Sequence, residues 1–317
     1  MEYRRLGNSG LMVSTVGLGT NNFGSRADEK QSIRVLEQAL DLGVNFLDTA
    51  NVYSGTRSEE IIGKALKGKR DNVLIATKFG LPLGQGPNQK GGSRKNVFDS
   101  VEASLRRLDT DHIDLYQVHQ PDPTTPIEET LRALDDLVHQ GKVRYIGSSN
   151  FAAWQLSEAI WTSRTLNLHG FVSEQPYYNL LRRHVERELV PFCQAYGIGI
   201  IPYFPLESGF LTGKYRPGQP PEEGTRLAKT PSFQWVLTEG NFRILAQLEK
   251  FAQDREHTVG ELAIAWLLAN PTVSSVIAGA TQPEQVVDNV KAIDWRMTSD
   301  EKKALNEITA SSQEQTP

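Results

Sequence analysis

Short apolar segments that alternate with helical segments constrain the fold of this chain more than any other feature of its sequence. Val73–Lys78 and Ile113–His119 are rich in branched and aromatic residues and too short for helices, as is typical of buried strands. Asn96–Leu108 and Ile127–Gln140, which follow them, show the apolar spacing of helices instead. Parallel strands need long, usually helical connections, so this alternation predicts a parallel sheet.

The number of predicted strands indicates a closed barrel. The strands are Val16–Leu18, Asn45–Asp48, Val73–Lys78, Ile113–His119, Val143–Ser148, Phe171–Gln175, Gly199–Tyr203 and Val273–Ile277. The helices are Glu29–Leu42, Ser58–Leu66, Asn96–Leu108, Ile127–Gln140, Ala153–Leu166, Arg183–Tyr196, Phe242–Asp254, Val259–Leu268, Pro283–Lys291 and Asp300–Thr309. Eight strands match the (β/α)8 TIM barrel, the predicted α/β fold, and a doubly wound open sheet is the less favoured alternative. Tyr3–Leu6 and Leu11–Ser14 predict an N-terminal β-hairpin, and two helices are extra to the barrel.

Composition narrows the class of protein. We expect residues 1–310 to form a single barrel domain and residues 311–317 to be a disordered tail. The net charge of −4 argues against partners such as nucleic acid or an anionic membrane. A single cysteine, Cys193, fits a reducing compartment, and no secretory signal or membrane span is recognisable, so we expect a cytoplasmic protein. The oligomeric state stays open.

Three ionisable residues end consecutive predicted strands. Asp48, Lys78 and His119 close the second, third and fourth strands, and Tyr53 lies on the turn after the second. Taken singly, each residue could have an ordinary structural role. Asp48 could cap a turn, Lys78 could point outward to solvent, His119 could be a core histidine, and Tyr53 could be a packed aromatic ring. Together they fall on consecutive strands at the face where barrel enzymes place their active sites, which favours a catalytic group.

These four residue types suit the protonation of an oxygen. A tyrosine hydroxyl has a pKa of about 10, and we expect the Lys78 ammonium to lower it. Asp48 would keep Lys78 charged and oriented, and His119 would hydrogen-bond the substrate oxygen. The set suits proton transfer to an alkoxide that forms from a carbonyl. It offers too few metal ligands, so no metal site is predicted.

Two predicted loops are long enough to be functional. Gly80–Lys95 follows the third strand and Glu207–Gly240 follows the seventh. Both begin at the carboxyl ends of strands, so we expect them to border the active site.

Three motifs resemble those of the aldo-keto reductase superfamily, in particular its bacterial-type members. They are LDTANVYSGTRSEEIIGKAL, DHIDLYQVHQPD and GKVRYIGSSNF, and the likeness runs from the hairpin to about Met297. In the first motif, Ser58-Glu59 replaces the Asn-Glu pair that is common in the family. The resemblance implies that Tyr53 is the proton donor, assisted by Asp48, Lys78 and His119.

The resemblance also implies an NADP(H) cofactor and its contacts. The implied cofactor-binding residues are Gly19, Thr20, Asn21, Ser149, Asn150, Gln175, Tyr203, Leu206, Ser208, Gly209, Leu211, Lys214, Gly279, Ala280, Thr281, Gln285 and Asn289. Loops after strands seven and eight are also the usual anion site of such barrels. Thr281, Gln282 and Gln285 stand where many members have a lysine or arginine for the 2′-phosphate, so NAD(H) stays an alternative. The stretch GLGTNNFG lacks the third glycine of a dinucleotide fingerprint.

The predicted function is reduction of an aldehyde or ketone, a small-molecule carbonyl substrate, with NADP(H). The expected substrate pocket consists of Asn21, Phe23, Phe79, Leu81, Phe151 and Trp235. One alternative is a cofactor-binding regulatory subunit of the same fold with little turnover. A second is a non-redox isomerase or lyase that uses the same lysine and tyrosine.

Overall fold

Eight parallel strands form the barrel in a computed structural model that describes residues 1–310. An antiparallel hairpin, β1 (Tyr3–Arg5) and β2 (Met12–Ser14), precedes it. The barrel strands are β3 (Val16–Gly19), β4 (Phe46–Asp48), β5 (Leu74–Phe79), β6 (Ile113–Val118), β7 (Val143–Ser149), β8 (Ser173–Gln175), β9 (Gly199–Ile200) and β10 (Val276–Gly279). They pair in the order β10-β3-β4-β5-β6-β7-β8-β9. Parallel bridges from Ile200 to Val273 and from Tyr203 to Ile277 join the last two strands. The predicted TIM barrel and hairpin are confirmed.

Helices connect the strands and surround the barrel. They are α1 (Glu29–Asp41), α2 (Arg57–Ala65), α3 (Arg94–Leu108), α4 (Ile127–His139), α5 (Ala153–Leu166), α6 (Leu189–Tyr196), α7 (Arg226–Lys229), α8 (Glu239–Gln253), α9 (Val259–Leu268), α10 (Pro283–Lys291) and α11 (Ser299–Thr309). Helices α8 and α11 pack against each other as additions to the (β/α)8 pattern. No helix within residues 1–310 combines the length and the apolar character needed to cross a membrane. The expected disordered tail lies outside the described residues.

Several predicted boundaries need correction. The predicted helix Arg183–Tyr196 is a 3-10 turn, His184–Glu186, followed by α6. Pro191 has no N–H to donate and fits only in the first turn of a helix, which forces α6 to begin close to it.

Other boundaries move by a few residues. The last strand begins at Val276 instead of Val273, which makes only an isolated bridge. His119 follows β6 directly instead of ending it. The predicted loop Glu207–Gly240 contains α7 and two 3-10 segments.

The hairpin closes the amino-terminal end of the barrel. Leu6 and Val13 are completely buried and pack in one cluster with Phe46 and Leu115 of the barrel interior. Gly7 has a φ of +56°, and a Cβ there would lie 2.5 Å from the Gly197 carbonyl oxygen, so only glycine fits this approach. The hairpin thus leaves the carboxyl ends of the strands as the open end of the barrel.

A buried ion pair fastens two outer helices to the barrel. The Glu59 carboxylate on α2 is fully buried and accepts hydrogen bonds from Arg107 Nε of α3 at 2.7 Å and from Thr77 Oγ1 of β5 at 2.6 Å. A buried carboxylate that loses its cation is strongly destabilising because its desolvation is no longer compensated.

We therefore expect Arg107→Met to lower the free energy of unfolding by about 3 kcal/mol, measured by urea denaturation. The matched control is Arg106→Met, because Arg106 is exposed on the same helix. The control should change the free energy of unfolding by no more than about 0.5 kcal/mol. Equal losses in both variants would contradict this role for Arg107.

Candidate active site

Lys78 and Asp48 form a buried ion pair at the open end of the barrel. The register of β4 and β5 pairs Asp48 with Ala76, so Lys78, two residues further along β5, points to the same side of the sheet. Lys78 Nζ donates to Asp48 Oδ2 at 2.7 Å and to the Thr49 carbonyl at 2.9 Å. The lysine side chain is fully buried and that of Asp48 is 3% exposed.

Tyr53 lies over this ion pair. Its turn is held at the strand ends by hydrogen bonds such as that from Asn51 N to the Lys78 carbonyl, at 3.1 Å. Lys78 Nζ lies 3.3 Å from the Tyr53 hydroxyl oxygen, and the His119 ring meets the Tyr53 ring edge-on with centroids 5.8 Å apart. The structure therefore brings together all four residues of the predicted catalytic group.

The protonation states of Tyr53 and Lys78 differ in part from expectation. Burial raises the pKa of Tyr53 above its ordinary value, and this effect exceeds the lowering by the Lys78 ammonium. The predicted net decrease in that pKa is therefore wrong. Burial lowers the pKa of Lys78, but the charges and hydrogen bonds of Asp48 and Tyr53 together raise it above the ordinary value. Both groups carry their protons at neutral pH, and a protonated phenol is the form that can act as an acid.

His119 is a neutral imidazole that lines the cavity. Burial, assisted by the nearby Lys78 ammonium, lowers the pKa of His119 to about 3. Its Nδ1 is buried and has no hydrogen-bond partner among the described residues. A neutral ring keeps one N–H donor, which suits a hydrogen bond to an uncharged oxygen.

Two glutamines hold the second oxygen of Asp48. Gln175 Nε2 donates to Asp48 Oδ1 at 2.8 Å, and Gln117 Nε2 lies 3.3 Å from the same atom. Gln175 was predicted to contact the cofactor, whereas Gln117 was not predicted as a site residue. Gln117 follows the alternation of β6 into the barrel interior, a signal that was present in the sequence.

A cavity of about 550 Å³ opens above these residues. It is lined by Asp48, Tyr53 and His119, whereas Lys78 lies outside its lining. Residues assigned to the cofactor that line it are Gly19, Thr20, Asn21, Ser149, Asn150, Gln175, Tyr203, Leu206, Ser208, Gly209, Lys214, Gly279, Thr281, Gln285 and Asn289. The other two, Leu211 and Ala280, are buried beside the cavity instead of in its wall, at 0% and 1% exposure.

The Ser149–Asn150 pair is held rigidly at the cavity wall. Asn150 adopts a left-handed φ of +62° and donates from Nδ2 to the His119 carbonyl at 3.0 Å. The Tyr203 hydroxyl donates to Asn150 Oδ1 at 2.9 Å. Beneath this segment, the buried Glu174 carboxyl accepts from the Phe151 backbone N–H at 3.0 Å and from the Ser148 hydroxyl.

The segment after β9 has a strained backbone at the cavity. Phe204, Glu207, Ser208 and Gly209 all have positive φ. The Glu207 carboxyl, which is buried, accepts hydrogen bonds from the Tyr177 hydroxyl and from Asn179 Nδ2 and so anchors the loop. The Ser208 hydroxyl is buried without a partner among the described residues. Strain of this kind is retained where surrounding contacts hold it, commonly at ligand sites.

Three cations line the cavity without carboxylate partners. Within residues 1–310, Arg26, Lys214 and Arg226 form no ion pair, and Arg226 binds the side chains of Asn21 and Asn22 across the cavity at 3.0 and 2.9 Å. Burial lowers the pKa values of all three, and repulsion by neighbouring cations lowers those of Lys214 and Arg226 further, the pKa of Arg226 to about 10. Such a cluster favours an anionic ligand because a bound anion relieves the repulsion. Arg26 and Arg226 were not predicted from the sequence.

The structure places most residues of the expected substrate pocket outside the lining of this cavity. Phe23 and Phe79 are completely buried and Phe151 is 5% exposed, all within the core between the barrel and the helices. Trp235 is 40% exposed and stacks on Arg182, whose guanidinium carbon lies 3.9 Å from the ring centroid. Like Leu81, these aromatic residues are absent from the cavity lining. Of the expected set only Asn21 lines it, and its aromatic lining comes from residues such as Tyr53, Tyr203 and Phe204.

Comparison with known proteins agrees with this site. A family model described as the Aldo/keto reductase family matches residues 15–310. The chain therefore belongs to the aldo/keto reductase family of oxidoreductases.

Relatives with different names share nearly the full length of the chain. "Aldo-keto reductase YhdN" from Bacillus subtilis (strain 168) is 37% identical, over 97% of this chain and 93% of that protein. "Versiconal hemiacetal acetate reductase" from Aspergillus parasiticus is 35% identical, over 97% and 96% respectively. A "Probable voltage-gated potassium channel subunit beta" from Oryza sativa subsp. japonica is 42% identical, over 93% and 92%.

The buried Glu174 gives the site a testable pH dependence. Burial raises the pKa of Glu174 from 4.5 to about 8, against the hydrogen bonds that lower it. Between these values the folded protein holds a proton that the unfolded chain has lost, so stability falls as the pH rises. Glu174→Gln should remove this loss. We expect the variant to gain at least about 1 kcal/mol relative to wild type on going from about pH 5 to about pH 9.

Urea denaturation at the two pH values measures the change. The control is Glu158→Gln, because Glu158 is an exposed glutamate on α5. This variant should show no such pH-dependent gain. A Glu174→Gln variant whose stability difference from wild type is the same at both pH values would contradict the assignment.

Proposed function

We propose that the chain is an NADP(H)-dependent reductase of aldehydes or ketones in which Tyr53 donates the proton. The observation that carries the proposal is the placement of the Tyr53 hydroxyl. It lies 3.3 Å from Lys78 Nζ, and Tyr53 and His119 line the same cavity as Arg26, Lys214 and Arg226, which form no ion pair within residues 1–310. An acid beside a polar cavity with room for an anionic cofactor suits carbonyl reduction.

The residues around the cavity fit a nicotinamide dinucleotide. Ser208 Oγ and Arg26 Nε are buried and have no partner among residues 1–310, so they are available to a ligand. Together with Lys214 and Arg226 they would bind a pyrophosphate, because cations and hydrogen-bond donors at a loop with positive φ values suit an anion. Ser149 and Asn150 would hold the carboxamide, and the Tyr203 ring would stack on the nicotinamide. When bound, the cofactor supplies hydride to the carbonyl carbon.

The chain's own residues would then manage the proton. Tyr53, which is protonated at neutral pH, gives its proton to the carbonyl oxygen as negative charge develops there. The Lys78 ammonium stabilises the phenolate that remains, and Asp48 keeps the ammonium in place. The neutral His119 donates a hydrogen bond to the same oxygen and orients it.

The preference for NADP(H) over NAD(H) rests on the far end of the cavity. Thr281 and Gln285 offer hydroxyl and amide groups there, as the sequence indicated. The structure adds Lys291 of α10, which lines the cavity and lies 3.5 Å from Asp288 in an ion pair. A cation at this position supports recognition of a 2′-phosphate, although Asp288 partly offsets its charge.

A regulatory subunit is the second candidate function. The support is the potassium-channel subunit name carried by a relative that is 42% identical over nearly the full chain. This candidate would keep the cofactor site and would lack turnover with every carbonyl tested. Nicotinamide absorbance with a panel of aldehydes and ketones separates the two functions.

A cytoplasmic location remains a prediction from composition.

Replacement of Tyr53 tests the proposed acid. Tyr53→Phe keeps the ring and removes the hydroxyl, so kcat for carbonyl reduction should fall by about 10²- to 10⁴-fold with NADPH affinity nearly unchanged. Stopped-flow absorbance and fluorescence titration measure the two quantities. The control is Tyr116→Phe, because the Tyr116 hydroxyl is buried, makes no hydrogen bond among the described residues and lies away from the cavity. Wild-type turnover by Tyr53→Phe would rule out the assigned role.

Removal of a cavity cation tests the cofactor site separately. Arg26→Met should weaken NADPH binding about tenfold and reduce the dependence of the Kd on salt, because charged hydrogen bonds contribute about 1.5–3 kcal/mol. Lys229→Met serves as the control because Lys229 is exposed on α7 and does not line the cavity. Equal affinity in wild type and Arg26→Met would remove Arg26 from the site.

A further inference from the structure

Three potential metal ligands meet at a place that the reductase chemistry does not use. Asp135 and His139 lie one turn apart near the end of α4, and His169 lies on the loop between α5 and β8. His169 Nδ1 is 2.7 Å from Asp135 Oδ1, and His139 Nδ1 is 3.2 Å from Asp135 Oδ2. One ligand atom from each of the three side chains can be chosen so that all lie within 4.8 Å of one another.

The cluster is at the opposite end of the barrel from the cavity. Helix α4 runs back from the carboxyl end of β6 toward the start of β7, so its last turn lies at the amino ends of the strands. His169 shortly precedes the start of β8 and lies at the same end. A ligand here could not touch the reacting groups of the proposed reaction.

The carboxylate of the cluster is already oriented. The Asp135 side chain is only 12% exposed, and the His169 backbone N–H donates to its Oδ1 at 2.8 Å. The two imidazoles are 68% and 50% exposed, so both can turn and the cluster opens to solvent. A fixed carboxylate flanked by two adjustable imidazoles is a partly preorganised ligand set.

Hydrogen bonding alone does not distinguish this cluster from other histidine–carboxylate pairs. His257 lies 3.2 Å from Glu261, and His112 lies 2.6 Å from Asp111, but each of these pairs contains a single imidazole. At Asp135 two imidazoles share one carboxylate, and their ring centroids are 5.3 Å apart. Two nitrogens and one oxygen suit zinc or a similar transition metal, whereas magnesium and calcium prefer oxygen ligands.

We propose that Asp135, His139 and His169 bind one zinc(II) ion, with solvent completing its coordination. Tetrahedral zinc with bonds of about 2.0–2.1 Å places its ligand atoms about 3.3 Å apart. The Nδ1 atoms of His139 and His169 lie beside different oxygens of the carboxylate, at 3.2 Å from Oδ2 and 2.7 Å from Oδ1, so the exposed rings must turn for one ion to be bound by both of them and a single Asp135 oxygen. A neutral imidazole whose Nδ1 proton now faces the carboxylate binds the ion through Nδ1 after that proton moves, by exchange with solvent, to Nε2, whereas a protonated imidazole releases one proton to solvent. The bound ion would tie the end of α4 to the loop before β8 and stabilise the fold.

Calorimetry with zinc alone tests the proposal. The probe is ZnCl₂, titrated into the full-length chain that carries no histidine tag and has been stripped with a chelator. Wild type should bind one zinc ion per chain and unfold at a higher temperature with zinc than with MgCl₂. His139→Gln and His169→Gln should each weaken zinc binding at least about tenfold and lose the zinc-dependent rise in Tm.

His112→Gln is the matched control, because it removes an imidazole beside a carboxylate elsewhere and should keep wild-type zinc affinity. His139 is mostly exposed, so His139→Gln should fold, and its Tm without metal verifies this. The proposal is overturned if wild type takes up no zinc, or if zinc binding survives unchanged in both His139→Gln and His169→Gln.

Discussion

The ion pair between Lys78 and Asp48 is the interaction on which the rest of the site depends. Both side chains are almost completely buried, so each charge is tolerable only because the other is present. Hydrogen bonds from Gln175 and Gln117 and to the Thr49 carbonyl satisfy the remaining polar atoms of the pair. Because the pair is built from neighbouring strands of a closed barrel, it gives a fixed electrostatic platform against which the Tyr53 hydroxyl rests.

The two ends of the cavity have different electrostatic characters. At the inner end the charges of Lys78 and Asp48 cancel, and Tyr53 and His119 are both uncharged at neutral pH. At the outer end Arg26, Lys214 and Arg226 repel one another, and none of the three forms an ion pair with a carboxylate within residues 1–310. This separation suits a ligand with an anionic middle and an uncharged reactive end. This arrangement fits the two steps of the proposed function, binding of an anionic cofactor and protonation of a neutral carbonyl.

The sequence predicted those features that depend on local pattern. Apolar runs that end in Asp48 and Lys78 predict two strands, of which the first ends at Asp48 and the second one residue after Lys78, and parallel pairing then brings the two side chains together. The same alternation explains why Phe79, which was expected in the substrate pocket, lies in the core outside the barrel. Since Lys78 points into the barrel, its neighbour Phe79 must point outward to the helices, where it stacks on Tyr116 with ring centroids 4.8 Å apart.

Features that depend on contacts between distant parts of the chain could not be predicted from local sequence pattern. Arg26 lies on an irregular segment after β3 and Arg226 begins the four-residue helix α7, and the positions of both are set by tertiary packing instead of by periodicity. The direction of the Tyr53 pKa shift depends on how completely the ring is buried, which no local pattern reports. The proposed zinc site would join His169 to Asp135 and His139 across separate elements, and no sequence motif indicates it.

The pH dependence of carbonyl reduction with a fluorinated tyrosine at position 53 tests the central claim most directly. Fluorine lowers the pKa of a phenol, and an acid must be protonated to act, so the alkaline fall in kcat should move to lower pH. A shift that follows the pKa of the incorporated phenol is the predicted result. An alkaline limb that stays where it is in the wild-type enzyme would show that the proton comes from another group.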